Sequence, residues 1–448
     1  MQVSSNDNGK HQQQLMDVAQ QTLDLARSAG ASAAEVDIGA GNGLAVTVRL
    51  GEVETIEHQR DKGLGVTVYM DKRKGSASTT DFSPAALREC VRAARAIAEQ
   101  TSPDEYAGLL DPRYLAREVP DLDLHHPWPI APDQAIALAT DCEAAARSAD
   151  PRIRNSEGAT LNTYAGTHVY GNSNAFLSGW DWSNHSLDCA VIAETNGEMQ
   201  RDGWYTRGRD PATLGAVADV GREAGRRAAV RLGARKMKTT RAPVIFEAPV
   251  ATSLFGSFVS AISGGALYRK ASFLQDKLGQ PIFSARLNID EQPHLPKAAG
   301  SAPFDNDGMT TRDRRLVADG ILQGYVLSAY SARKLGMEPT GNAGGAHNLI
   351  VEHDAITLQA LIEKMNRGLL VTDLIGHGIN LVTGDYSRGA VGLWIEGGEI
   401  QYPVEEITIA GRLQDMFMRI AAIADDIDRR GNIQTGSVLI EELTVAGA

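Results

Sequence analysis

Cysteine is scarce in this chain: Cys90, Cys142 and Cys189 are the only three in 448 residues, and none follows in the second half. Thiols so few and so widely spaced suggest neither a disulfide framework nor a cysteine-rich zinc site, and they fit a reducing compartment. Long apolar runs are missing too. No stretch approaches the roughly 18 residues that a bilayer-spanning helix needs, and residues 1–11 are polar with no hydrophobic signal core. The expectation is a soluble cytoplasmic protein with no membrane partner. Positive charge is in deficit, with 44 Lys and Arg against 56 Asp and Glu, a net charge of −12. Such a field repels polyphosphate and argues against a nucleic-acid partner.

Several catalytic signatures are absent. The nearest approach to a Gly-x-Ser-x-Gly elbow, residues 260–264, holds no nucleophile in the required place. Gly341-Asn342-Ala343-Gly344-Gly345 lacks the Lys-Ser/Thr of a phosphate-binding loop, and Gly376-His377-Gly378 does not open a helix. Residues 249–278 contain neither His nor Glu.

What is present points to a two-domain α+β protein. The length exceeds the roughly 250 to 300 residues over which one core stops growing, and 43% hydrophobic residues fill large cores. Leu15, Val18, Thr22 and Leu25 share a helical face that stops at Gly30. Residues 33–38, 43–50, 53–58 and 63–69 then alternate like a half-exposed antiparallel meander. A second helix follows, with Ser83 as N-cap, Pro84 at its first position and Leu87, Cys90, Val91, Ala94, Ile97 and Ala98 as its stripe. Beyond a Pro-rich connection the order recurs: helix to about 148, strands over 158–204, helix over 211–232. Asn196-Gly197 marks a type I′ hairpin within that second set. The reading is an amino-terminal domain, 1–232, of two helix–antiparallel meander–helix units that arose by duplication.

Residues 233–243, basic and closed by Pro243, read as an interdomain linker. The second domain, 244–448, reads as strand-rich and barrel-like with a few helices. It begins with a strand over 244–246 and a helix from Pro249, and has hairpins at Asp319-Gly320, between strands over 315–317 and 321–327, and at Gly397-Gly398. It ends with a closing helix carrying Leu413, Met416, Phe417, Ile420 and Ile423, and a last strand over 437–445.

Two constellations could carry chemistry. His347, His353 and His377 lie near Asp354, Asp373 and Asp385 in sequence, and zinc would accept three of these if they converged. The six-residue separation of His347 and His353 does not match a zinc helix, so hydrogen-bonded or surface histidines are expected instead. Asp305-Asn306-Asp307-Gly308 is an acidic turn with too few carboxylates for a calcium loop; an Asx turn is the expectation.

Asp305-Asn306-Asp307-Gly308, the run from Arg315 to Tyr325, Ser331-Ala332-Arg333-Lys334-Leu335-Gly336 and Thr340-Gly341-Asn342-Ala343 together resemble the PmbA/TldD family, once described as modulators of DNA gyrase. The likeness extends to residues 63–68, 74–79, 384–386 and 393–400. It implies a heteromeric cytoplasmic metallopeptidase of TldD and TldE (PmbA) subunits that degrades or processes unfolded peptides, such as a peptide antibiotic precursor or an antitoxin. In the TldD branch an HExxxH helix supplies zinc ligands and a catalytic Glu. Matching on residues 270–274 and 277–279 places that motif near Phe255, Gly256 and Ser260, where no ligand exists. The resemblance therefore implies the PmbA/TldE branch: no catalytic residue, no metal ligand and no cofactor on this chain, with zinc in a TldD-like partner. A homodimer is possible when the chain is isolated, and a regulatory, gyrase-modulator-type protein without peptidase role is the alternative. A strand-rich domain with Gly-rich edges can take an extended peptide as an added strand, and Gly341, Gly344, Gly345 and Gly376 are the candidate positions for close backbone approach.

Overall fold

The computed structural model describes residues 5–447, so residues 1–4 of the polar amino-terminal stretch and residue 448 lie outside it. Helix α1 (Ser5–Ser28) buries Leu15, Ala19, Leu23 and Ala26 on one face. Strands β1 (Ala33–Arg49), β2 (Glu52–Met70) and β3 (Arg73–Thr79) and helix α2 (Pro84–Gln100) complete the first unit. The second repeats the order with α3 (Pro132–Ser148), β4 (Ile153–Asn172), β5 (Phe176–Thr195), β6 (Glu198–Gly208) and α4 (Val217–Val230). Both meanders join one sheet, β3-β2-β1-β4-β5-β6, with β1 and β4 antiparallel at its centre. That symmetric order is what a duplication expects. Ser83 caps α2 by accepting from the Ala86 N–H, and Asn196 and Gly197, both at positive φ, make the β5–β6 turn.

The four short strands expected over 33–69 are in fact two long ones. Glycine does not end β1, because the Tyr164 ring lies over it: a Cβ on Gly41 would stand 2.5 Å from that ring. The polar residues 59–62 pair with 40–43 as part of an exposed edge, and charge along that edge discourages pairing with other chains. All four helices cover one face of the sheet. Val36, Ile38, Val46 and Val48 of β1 point into the two apolar clusters under them. The opposite face, by the period of two, carries Glu35, Asp37, Tyr164, His168, Tyr170, Trp180 and Trp182, and it turns toward the rest of the chain.

The second half contains β7 (Thr240–Phe246), α5 (Ala248–Ala261), α6 (Gly264–Tyr268), β8 (Ile289–Glu291), β9 (Arg314–Ala318), β10 (Ile321–Leu322), α7 (Ala329–Leu335), β11 (Leu349–Val351), α8 (Leu358–Met365), β12 (Gly368–Ile375), β13 (Ile379–Asn380), β14 (Asp385–Glu396), β15 (Glu399–Arg412), α9 (Leu413–Met418), β16 (Ile420–Ile423), β17 (Ile433–Gln434) and β18 (Val438–Ala446). Strands β12, β7, β18, β15 and β14 pair in that order, and β14 returns to β12, closing a five-stranded barrel. A smaller sheet runs β10-β9-β8-β11-β17. Helix α5 shares the main apolar cluster with barrel residues Val244, Phe246, Val371 and Tyr386.

Three expectations are corrected. The last residues of the expected linker, 240–243, belong to β7, which pairs with β18; Thr240 and Arg241 are polar because they face outward. The closing helix stops at Met418, and Ile420 and Ile423 form β16 against β18. Their spacing suits a helix, but β-branched side chains beside an open strand edge pair instead. Of residues 321–327 only the first two are strand.

Candidate functional site

Helix α5 is the place to begin, since the family resemblance would put a zinc motif there. Phe255 is wholly buried, and with Phe258 it packs on Phe283 at centroid distances of 6.3 and 5.1 Å; Phe283 in turn stacks on Phe417 at 4.4 Å. The Ser257 and Ser260 hydroxyls donate to the carbonyls of Ser253 and Gly256, 2.8 and 2.9 Å away on their own helix. Neither an aromatic ring nor a hydroxyl turned back on its own backbone is a zinc donor. The residues of this helix do not fit the metal. Among the described residues no group of three or more His, Cys, Asp or Glu side chains is placed to hold an ion.

The three histidines do not converge. His347 is buried, donating from Nε2 to the Gly341 carbonyl at 2.9 Å while its backbone N–H donates to Glu291. His353 and His377 are exposed on separate segments. Asp354 pairs with Arg286 and accepts from the Ile423 N–H, Asp373 lies 3.8 Å from Arg231, and Asp385 4.0 Å from Arg412.

The acidic turn is an Asx turn, as expected. One Asp305 oxygen accepts from the N–H groups of Asp307 and Met309, and the other from Ala343, each at 2.9 Å. Asp307 accepts from the Ala329 N–H at the start of α7. The turn is thereby bound to the Gly341–Gly345 loop. Gly344, at φ +103°, lies so close to the Asn306 side chain that a Cβ would stand 2.7 Å from Nδ2, and Gly341, at φ +77°, abuts the Thr310 carbonyl. Gly345 has open space above it, so nothing but its φ demands glycine. Gly376 is separate: it turns the chain after β12 and has no neighbour within 4 Å of its would-be Cβ.

A buried ion pair stiffens this loop from below. Glu291, 1% exposed, receives the Arg314 guanidinium at 2.6 and 3.0 Å, the Asn342 amide at 2.7 Å and the His347 N–H at 2.8 Å. Arg314 also donates to Asn342 Oδ1 and the Tyr325 carbonyl.

Above the loop, the open face of the six-stranded sheet and the second half of the chain enclose a cleft. Phe304, buried beneath it, packs on Phe176 and Trp180 with centroids 5.0 and 4.9 Å apart. Two hollows share Asn306 as a common wall. One, about 450 Å³, is lined by Glu35, Asp37, Tyr170, Asp307 and Ser76 among others. The other, about 400 Å³, is lined by His168, Trp180, Trp182 and a set of arginines. Glu35 accepts from the hydroxyls of Tyr69 and Tyr170 at 2.8 and 2.9 Å.

Burial pushes the Glu35 and Asp307 carboxyls up, and burial with the nearby Asp307 charge pushes Asp305 up to about 7 despite its three N–H donors. A carboxyl raised in the folded state binds protons on folding, so its stabilisation is complete below its unfolded value, near 3.8 for Asp305, and is lost as pH rises through about 7. Urea unfolding at pH 5 and pH 8 is expected to show this contribution, on the order of 2 kcal/mol, as a difference in pH slope between the native chain and Asp305→Asn. Equal slopes would refute it.

Of the four glycines expected to meet substrate, Gly341, Gly344 and Gly345 come together beside the cleft and Gly376 does not join them. Sequence reasoning missed the cleft's own lining. Its signal was Glu35/Asp37 and His168/Tyr170, pairs two apart with the apolar Val36 and Val169 between them, and the two tryptophans Trp180 and Trp182 on one face of β5.

Family models describe this architecture piece by piece: PmbA/TldA metallopeptidase domain 1 matches residues 34–98, the central domain 125–232 and the C-terminal domain 239–447. The chain is 49% identical to metalloprotease PmbA of Escherichia coli O157:H7 over 425 residues, covering 95% of this chain and 94% of that protein. A crystal structure from Bacteroides thetaiotaomicron, described as a modulator of DNA gyrase, superposes with TM-score 0.92 at 26% identity over the whole of both chains. TldE from Thermococcus kodakarensis has the same fold, with TM-score 0.83 at 21% identity, covering 96% of this chain and all of that one.

Proposed function

The chain belongs to the PmbA/TldD metallopeptidase family, and from that premise we propose that it is the metal-free, PmbA/TldE-type subunit of a heteromeric cytoplasmic peptidase. In this reading a TldD-like partner holds the zinc and cleaves, while this chain completes the chamber and receives unfolded peptides such as an antibiotic precursor or antitoxin. The observation that carries it is α5. The helix keeps its place in the core, yet Phe255, Gly256 and Ser260 offer no metal donor, and their side chains are engaged in packing or in the helix itself. A helix of this kind supports a partner of the same fold; two similar chains meeting about a two-fold axis is the common geometry for such pairs.

The cleft supplies the peptide-binding half of the reading. Trp180 and Trp182 line it, its walls are strands, and the Gly341–Gly345 loop reaches it through Gly344, an exposed residue packed on Asn306. Extended peptides recognised chiefly through their backbone suit such a surface.

Reconstitution tests the proposal. Hydrolysis of an unfolded peptide and zinc content are measured for this chain, for a TldD-like subunit and for the mixture. Activity and zinc are expected in the mixture and not in this chain alone, with activity abolished when the partner's HExxxH histidines are replaced by alanine. Stoichiometric metal and hydrolysis by the isolated chain would overturn the assignment, and a mixture no more active than the partner alone would remove the subunit role.

A further inference from the structure

The hollow walled by Trp180 and Trp182 has a charge unlike that of the protein. The chain as a whole carries −12, yet Arg207, Arg209, Lys297, Arg429 and Arg430 line this hollow, and among the described residues no carboxylate does. Two of the five cations are neutralised from behind. Lys297 lies 2.7 Å from Asp210, and Arg430 makes two 2.9 Å bonds to Asp428 while stacking on Trp204 and Tyr205.

The other three have no anionic partner among the described residues. Arg209 donates only to carbonyls, those of Ala298 and Ala299 at 3.0 Å and of Ser183 at 3.3 Å. Arg207 donates to the Asn184 amide oxygen at 2.7 Å. Arg429 has no hydrogen bond or ion pair among the described residues, and its guanidinium is exposed at the rim. Burial and the neighbouring Arg207 lower the Arg209 pKa to about 10, as expected where like charges are held together without a counter-ion. Three uncompensated guanidinium groups in one concavity are arranged for something the chain itself does not supply.

The rest of the lining narrows its chemistry. Trp180 and Trp182 offer aromatic walls, and the unpaired side-chain amide of Asn306 offers a donor and an acceptor to a peptide backbone. On the far side of Asn306 the same cleft turns acidic, at Glu35, Asp37 and Asp307. A polyphosphate backbone running along this face would meet those carboxylates, whereas a peptide carries one charge where the groove is basic and another, or none, where it is acidic. Arginine's planar fork matches a carboxylate in two-point contact.

We propose that this hollow is a carboxylate-binding subsite, in which Arg207 and Arg429 clasp an acidic group of a bound peptide, either its C-terminus or an Asp or Glu side chain, beside the tryptophan wall. The peptide then runs past Asn306 toward Glu35 and Asp37, which gives the cleft a direction. The choice of peptide as ligand rests on the peptidase reading, but the site is measured on the isolated full-length chain without partner or zinc, so loss of one reading does not imitate loss of the other.

The test uses tryptophan fluorescence and calorimetry with acetyl-Ala-Ala-Phe-Asp, its C-terminal amide, the Asp→Asn acid and the Asp→Asn amide. The three peptides bearing a carboxylate are expected to bind, ranked by whichever source the site prefers, and the uncharged one to bind at least tenfold more weakly. Arg207→Ala with Arg429→Ala, both at exposed positions, is expected to weaken the acidic peptides by tenfold or more and to leave the uncharged peptide and the circular dichroism unchanged; Arg207→Lys with Arg429→Lys recovers part of the loss. Equal binding of charged and uncharged peptides, no binding of any, or preference for a single-stranded oligonucleotide that the alanine variant abolishes would each overturn the proposal.

Discussion

Replacing Glu291 by alanine is expected to destabilise the protein by about 3 to 5 kcal/mol, the range for removing one partner of a buried ion pair. The reason lies in what stays behind. Arg314, whose side chain is only 13% exposed, keeps its charge and loses two of its donor contacts, while the Asn342 amide and the His347 N–H lose an acceptor. Asn342 and His347, like Glu291 itself, are buried. The lesion is also local to function, because Asn342 lies within the Gly341–Gly345 loop and His347 follows just after it. Hydrogen exchange at residues 341–348 should accelerate before the rest of the core in Glu291→Ala. Glu291→Gln, which keeps the shape but turns an amide toward Arg314, should lose less. Replacing both partners by apolar residues, Glu291→Leu with Arg314→Met, should lose less than Glu291→Ala, since no charge is left unpaired. A loss below about 1 kcal/mol in Glu291→Ala would show that the pair is solvated in solution and that the loop is held by other means.

Phe255→His is expected to be as damaging, about 3 kcal/mol or more, and to bring no zinc with it. The ring is fully buried against Phe283, and its loss leaves a cavity of the kind that costs about 3 to 5 kcal/mol in aromatic truncations. An imidazole there adds a polar group with no partner among the surrounding Leu254, Phe258 and Phe283. Adding Gly256→Glu and Ser260→His would complete the HExxxH pattern in letters only, because the first position points into packed aromatic rings. Urea midpoint and zinc per chain are the two readouts. A triple variant that folds with native stability and holds stoichiometric zinc would mean that α5 is a metal helix lacking only its ligands.

Much of the fold was legible because local chemistry and global topology agree. Ser83-Pro84 opens a helix in the sequence and in the structure, Asn196-Gly197 and Asp319-Gly320 turn hairpins, and the recurrence of helix, meander and helix is realised as one symmetric sheet. The failures come where a distant residue decides. Nothing near Gly41 reveals that Tyr164 will lie across it and carry the strand through, and nothing near Ile420 shows the open edge of β18. The site was less visible for a related reason. A glycine loop is conspicuous in sequence, and three of its residues do stand at the cleft, but the lining itself is drawn from all six strands of the first sheet and two loops of the second half. Its arginines are unremarkable singly; only the fold brings Arg207 and Arg429 to one hollow that no carboxylate of the described residues lines.

The pairing of β7 with β18 sets a condition on how this chain is made. The barrel is closed by its first and last strands, and a hydrogen bond from Thr239 reaches Gly447, 208 residues away. During synthesis at roughly 5 to 20 residues per second, β7 leaves the ribosome many seconds before the strand that covers its edge exists. Val244, Ile245 and Phe246 must wait as an uncovered apolar edge through that interval. All six strands of the first sheet precede β7 in the chain, so during that interval they are the part of the native structure already synthesised.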